Sequence, residues 1–464
     1  MKVCNRGRLP GIVLLLITLV LSGGFASGGA EGASGSDLSV DFWTAPNQGQ
    51  FDFWSAKAEA FNQAGVQVEG KSVYVNVQMM PETPSSEAGI QNALATGVAP
   101  AASENINRGF AATLAASGRV YELSDIPEFQ AVVQARQMES ILPGWAIDGG
   151  QYVIPLYANA MGYHWNVQGL KALGFDEDVP RTVAEIRTLI TRFYERRQAL
   201  KEQGISHLFI RPQLLRPEWW WDRWFDFQMQ YLAFSEGGDW VSGDRITLDP
   251  GITEEVFEYF GMFGQSLQTA EDWTAFEMDT VPVVFQVSAP WDIPKYEAAG
   301  KVYGFGGDYV YGPPIVKQAL DQPYTFADSK GIVFYKGGNI SDLDHQGILA
   351  FISWVLTGER GAQTDIDWVK TTGMLPVRGD LLENPAFESI IASNPAYAYQ
   401  AEVMPYAVPA MAHEKMVDIQ TALGEKGLTP YIQSIMNSTS LNPADAAPFV
   451  HDAFEAMKRE GELR

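Results

Sequence analysis

The sequence predicts an α/β protein, and three stretches near its start carry the prediction. Leu38, Val40 and Phe42 alternate with Ser39 and Asp41, the pattern of a half-buried strand. Trp54, Ala58 and Phe61 then recur at helical spacing between about Phe51 and Gln63, and Val73, Val75 and Val77 alternate again as a second strand. Strand, helix, strand opens a βαβ unit, and alternation of this kind implies helices packed on mostly parallel sheets.

Ahead of that unit, Lys2, Arg6 and Arg8 precede an apolar run from Gly11 to Leu21, which small residues follow. This is the pattern of an export signal. The run is too short to cross a hydrocarbon core of about 30 Å. Gly24-Phe25-Ala26 or Gly28-Gly29-Ala30 would suit a signal peptidase, so residues 1–30 read as a signal peptide and the mature chain is expected in the periplasm or outside the cell. Cys4, the only cysteine, lies before the run, so no lipid-accepting cysteine stands at the cleavage region.

Beyond the βαβ unit, Phe110 to Ser117 with a Gly118 stop reads as a short helix. Ile186, Leu189, Ile190 and Phe193 stripe a longer one that ends before Gly204. The last third is more helical, with Ile348, Ile352 and Val355 on one face and a closing helix from Ala446 to Arg459.

Without the signal, 29 basic residues face 56 acidic ones, a formal charge of about −27. Nucleic-acid binding needs clustered Lys and Arg to displace counterions, so this balance argues against it. No cysteine remains for disulfides, thiolate chemistry or cysteine-ligated zinc. About 430 residues, 46% hydrophobic in the full chain, can fill two or three cores, and two lobes are expected.

Gly65 to Ser72 matches the phosphate-loop pattern letter for letter. A phosphate loop follows a strand and opens a helix, whereas this segment follows a helix and leads into a strand, so the match is read as chance. Gly304, Gly306 and Gly307 lack the third glycine of a dinucleotide motif and read as a loop. His164, His207, His345, His413 and His451 stand singly, without metal-ligand spacing, and read as surface or capped histidines. No cofactor and no metal are expected. No G-x-S-x-G elbow is present, and paired carboxylates in so acidic a chain carry no specificity for glycoside hydrolysis.

The aromatic residues, 13 of them Trp, say more. Trp43 ends the first strand, and solutes bind beyond the carboxyl ends of strands in open α/β sheets. Trp54 keeps helical spacing with Ala58 and Phe61 and belongs to a core. Trp219, Trp220, Trp221 and Trp224 cluster at a helix start, and three consecutive indoles cannot all face one core, so Trp220 or Trp221 is expected to look into a cleft or solvent. Trp291, held between Pro290 and Pro294, makes a stiff platform for the apolar face of a pyranose, with Asp292 beside it for hydroxyls.

Several short segments, in order, resemble the sugar-binding, maltose-binding-protein-like family of extracellular solute-binding proteins that serve ATP-driven (ABC) importers. They are Phe42-Trp43, Asn107-Arg108-Gly109-Phe110, Ala116 to Leu123, Asp148 to Pro155, Gly237-Gly238-Asp239, Ala289-Pro290-Trp291 and Gly373 to Arg378. Two departures stand out: Trp165-Asn166 where the family often has Tyr-Asn, and Glu104 to Arg108 where an Asp often begins the cleft loop.

The resemblance implies a two-lobed periplasmic-binding-protein fold, type II-like, with hinged lobes closing on a ligand cleft. Lobe I is expected over 37–156 plus 326–372, and lobe II over 157–325 plus 373–464. The implied function is capture of a sugar or oligosaccharide and its delivery to a membrane permease, by a monomer that is not an enzyme. Carried over by position, the expected ligand contacts are Trp43, Asn107, Arg108, Tyr157, Asn159, Trp220, Trp221, Trp291, Asp292, Tyr309 and Arg378. Two alternatives stay open: an exported glycan-degrading enzyme, and a binding protein for a non-sugar solute such as a polyamine.

Overall fold

Two separate sheets organise the chain. The computed structural model describes residues 37–81, 85–210, 220–268, 283–381, 383–440 and 442–464, and the expected signal peptide lies outside them. Leu38–Arg464 forms one compact unit.

The first sheet begins with β1 (Leu38–Thr44), β2 (Gln67–Val68), β3 (Lys71–Met79), β4 (Ala102–Ile106) and β5 (Ile154–Ala160). The chain then builds a second sheet from β6 (Gly162–Asn166), β7 (His207–Ile210), β10 (Leu267–Gln268), β11 (Val283–Ser288) and β12 (Tyr309–Gly312), with β8 (Val241–Ser242) and β9 (Arg245–Ile246) as a separate hairpin. It returns to the first sheet with β13 (Thr325–Phe334), β14 (Leu375–Pro376) and β15 (Ala407–Val408). The strand orders are β14-β5-β13-β4-β1-β3-β2, with β15 beside β13, and β10-β7-β11-β6-β12.

The α/β expectation holds, but the sheets are mixed rather than mostly parallel. β1 lies parallel to β3 and β4 as the βαβ reading required, whereas β13 runs antiparallel to both β4 and β5. The cause is topological: β5 carries the chain out of the first sheet and β13 brings it back in the opposite direction.

The alternation of β1 puts Leu38, Val40 and Phe42 into one core with Phe53, Trp54 and Phe61 of the helix Gln48–Ala64. Trp54 is fully buried there, as its spacing predicted. Helices Pro127–Ala135, Asp342–Leu356 and Gly358–Thr372 complete that layer. The opposite face is covered by the helices Ser86–Thr96 and Arg108–Ala116. A third core surrounds the second sheet, drawing on Val183–Glu202, Pro250–Gly261 and the closing helix Ala447–Glu460.

The phosphate-loop match is a hairpin. Gly65 ends the helix in a left-handed C-cap, and β2 pairs back on β3 through Glu69 and Gly70, both at positive φ (49° and 77°). Two such residues form the tight turn that suits strand twist.

The two sheets join through short crossings. Met161 alone separates β5 from β6, and its N–H donates to the Phe326 carbonyl at 3.0 Å. The Thr325 hydroxyl donates in turn to the Met161 carbonyl at 2.5 Å. β5 thus runs past Tyr157 to Ala160 before the chain changes sheet. Gly331 lets β13 come close to β5, since a Cβ there would strike the Ile154 carbonyl.

Candidate functional site

The carboxyl ends of β1 and β4 and the strand β5 carry five of the eleven expected residues. Trp43, next to last in β1, is half-buried against the core beneath Arg108–Ala116. Asn107 caps that helix: its Oδ1 accepts the Phe110 N–H at 2.8 Å, the usual service of Asn before a first helical turn. Arg108 donates two hydrogen bonds to the Ala146 carbonyl, at 2.7 and 3.2 Å. Burial lowers its pKa, and the charge of Asp239 pulls it back up. Both residues were expected ligand contacts, and both have partners inside the fold.

Glu104, in the middle of β4, is wholly buried. Its carboxyl accepts the Ala45 N–H at 2.8 Å and the Gln50 amide at 2.9 and 3.0 Å. Burial pushes its pKa up to about 7, against the opposing pull of those bonds and of Lys330. The next residue, Asn105, sits in the left-handed region at φ 69° where the β4–β13 register shifts, and it accepts the Tyr157 hydroxyl at 2.9 Å.

Tyr157 is buried, stacked on Trp368 at 5.4 Å. Burial, with the charges of Asp328 and Glu104, holds its hydroxyl pKa well above the ordinary value. Two residues on, Asn159 has 0% exposure, and neither its amide nitrogen nor its oxygen has a hydrogen-bond partner. Most buried polar groups are paired, and an orphan of this kind needs a reason.

Trp291 lies in the single turn Pro290–Asp292, half-exposed, and packs against both the core of the first sheet and that of the second. Asp292 behind it is buried, accepting the Ser288 hydroxyl and pairing with Lys295 at 3.0 Å. Tyr309 is 3% exposed and packs on Tyr296 and Tyr303, with burial pushing its hydroxyl up to about 12. Trp220 and Trp221 begin the helix Trp220–Ser235, but their side chains lie outside the described residues.

Arg378 is placed otherwise than expected. Its guanidinium grips Asp380 at 2.7 and 3.0 Å, Asp365 at 2.9 Å and the Ala135 carbonyl at 3.2 Å. Arg136 pairs with Asp365 as well, so Arg378 belongs to a buried four-charge network beneath the first sheet. A guanidinium with all these donors engaged has no fork left for a ligand.

Two histidines also differ from expectation. His164 and His345 are buried rather than at the surface, at 1% and 8% exposure. His164 bonds the Tyr296 hydroxyl at 2.9 Å, His345 stacks on Tyr121 at 3.6 Å, and burial lowers each to about 4. Each imidazole is accommodated as a neutral aromatic. Among the described residues, no three His, Cys, Asp or Glu side chains are grouped to hold a metal, and no helix is long and apolar enough to cross a membrane.

Asp328 and Lys330 were not singled out in the sequence. The signal was there: two charges two residues apart inside the otherwise apolar or small run Thr325–Phe334. They face the same way as Asn159 and Tyr157, which lie directly opposite them on β5.

The family described as "Bacterial extracellular solute-binding protein" matches residues 56–399. No curated protein sequence matches. Among solved structures, an uncharacterized protein from Listeria monocytogenes EGD-e is similar at 29% identity and a TM-score of 0.69, over 92% of this chain and 99% of that one. The cyclic α-maltosyl-1,6-maltose binding protein from Arthrobacter globiformis is similar at 17% identity and a TM-score of 0.66, over 91% and 99%. UgpB from Mycobacterium tuberculosis, solved in complex with glycerophosphocholine, is similar at 14% identity and a TM-score of 0.69, over 92% and 98%. The fold is that of the periplasmic binding proteins. Its members are binding proteins, which removes the glycan-degrading alternative. On the match across most of its length, this chain belongs to the bacterial extracellular solute-binding proteins, which work outside the cytoplasm and serve ABC transporters.

Proposed function

We propose that the protein captures a sugar or oligosaccharide between two hinged lobes and delivers it to the permease of an ABC importer. The lobes are built on the two sheets, near the bounds read from the sequence, 37–156 plus 326–372 and 157–325 plus 373–464, except that β5 to Ala160, β14 and β15 stay with the first sheet. Residues 1–30 are removed as a signal peptide and the mature chain acts as a monomer. The observation that carries the reading is Asn159, a fully buried amide without a partner on the strand that leads from one sheet to the other. Trp291, packed on both cores, supports it as the platform for a sugar ring.

Closing a mostly open cleft needs about 5.5 kcal/mol of differential affinity. One stacked indole adds about 0.5–1.5 kcal/mol beyond its buried area, so hydrogen bonds to both lobes supply the rest. A polyamine fits less well, because Lys330 lies 3.7 Å from Asp328 and repels a cation there.

The test is calorimetry and thermal shift with maltotriose, cyclic α-maltosyl-1,6-maltose, a wider carbohydrate array and glycerophosphocholine. A ligand at 100 times its dissociation constant should add about 2.7 kcal/mol of stability. Binding of a carbohydrate supports the reading. Binding of glycerophosphocholine alone replaces the sugar with a glycerophosphodiester, and binding of nothing removes it.

A further inference from the structure

Asn159 stands directly opposite Asp328 in the β5–β13 ladder, and Tyr157 stands opposite Lys330. Side chains directly opposite in an antiparallel pair share a face and lie close together. The four therefore form one patch on the strands that enter and leave the first sheet.

Three of them have unused hydrogen-bonding capacity. Both amide atoms of Asn159 are without partners. Asp328, 6% exposed, has the Lys330 ammonium at 3.7 Å as its charged neighbour, too far for a hydrogen bond. The Lys330 side chain, 22% exposed, is just as weakly held and also feels Glu104. Arg378 and Asp380, by contrast, close to 2.7 Å.

We propose that Asp328, Lys330 and Asn159 read a vicinal diol on the ligand. The carboxylate accepts hydrogen bonds from two neighbouring hydroxyls, while the ammonium and the amide donate to their oxygens. Lys330 offsets the charge of Asp328, so the patch selects a neutral diol over an amine. Sugars carry such diols, and so does the glycerol end of glycerophosphocholine. The inference rests on the reading of the protein as a solute-binding protein and names the group its site takes.

The test is calorimetry on the mature chain with maltotriose, glycerophosphocholine, and phosphocholine, which lacks the diol, alongside Asp328→Asn and Lys330→Met. The expected result is binding of at least one diol compound, no binding of phosphocholine, and at least tenfold weaker binding in each variant with an unchanged melting temperature. Lys330→Met keeps the test alive should Asp328→Asn fold poorly. Wild-type binding that both variants retain overturns the inference and leaves the solute-binding reading standing. Equal affinity for phosphocholine and glycerophosphocholine also overturns it. A wild-type chain that binds neither diol compound nor any member of the carbohydrate array overturns both readings together.

Discussion

Arg378 and Asp365 meet at 2.9 Å in the interior, and Arg136 binds both oxygens of the same carboxylate. Asp365 stands on the helix Gly358–Thr372, Arg136 just past Pro127–Ala135, and Arg378 two residues after β14. One carboxylate therefore joins three elements around the first sheet.

Asp365→Asn leaves the Arg136 guanidinium with the Pro155 carbonyl and no carboxylate, and Arg378 with Asp380 as its one carboxylate. Removing one member of a buried ion pair costs about 3–5 kcal/mol, because the remaining charge is uncompensated. The variant is expected to lose stability on that scale in urea denaturation while any surviving folded fraction keeps its ligand affinity. Unchanged stability would show that the network contributes little.

Trp291→Ala is expected to weaken carbohydrate binding at least tenfold, since the platform is lost. Its half-buried ring packs on both cores, so about 2 kcal/mol of stability should go with it, less than the 3–5 kcal/mol of a fully buried Trp. Trp291→Phe should restore most of the stability and part of the affinity. Calorimetry and denaturation on the same two variants separate these effects.

Glu104 titrates near pH 7 in the fold and near 4.5 when unfolded. A raised carboxyl pKa means that the folded state keeps its proton longer, so this group's contribution falls as pH rises from 4.5 to about 7 and is constant above. The change is on the order of 3 kcal/mol. Glu104→Gln keeps an acceptor for Ala45 and removes the titration. Denaturation at pH 5 and pH 8 should show the variant gaining on the wild type at the higher pH; parallel behaviour would mean that Glu104 ionises normally.

His164 and His345 have the opposite sign. Both fall from the usual 6.5 to about 4, so their contribution is complete above pH 6.5 and is lost as pH drops toward 4. Proton NMR of their ring C–H signals should show neutral imidazoles down to about pH 5. A titration midpoint at 6 or above in either ring would refute its burial.

The sequence was most legible where periodicity reports burial. The strand at Leu38, the helix around Trp54 and the striped helix Val183–Glu202 lie where their spacing put them. Asp328, Lys330 and Asn159 were harder to join, because residues some 170 positions apart become neighbours only through strand register. Arg378 shows the reverse difficulty: an arginine carried over by position as a ligand contact is engaged by carboxylates from other elements.

By itself the chain determined its class and its elements: a strongly acidic α/β protein whose local hydrophobic period sets which face of each strand and helix is buried. The tertiary structure decided which polar groups find partners and which do not. Satisfaction of a hydrogen bond depends on distances between segments remote in sequence. Hence Arg378 is held by two carboxylates while Asn159 is left with both amide atoms unmet.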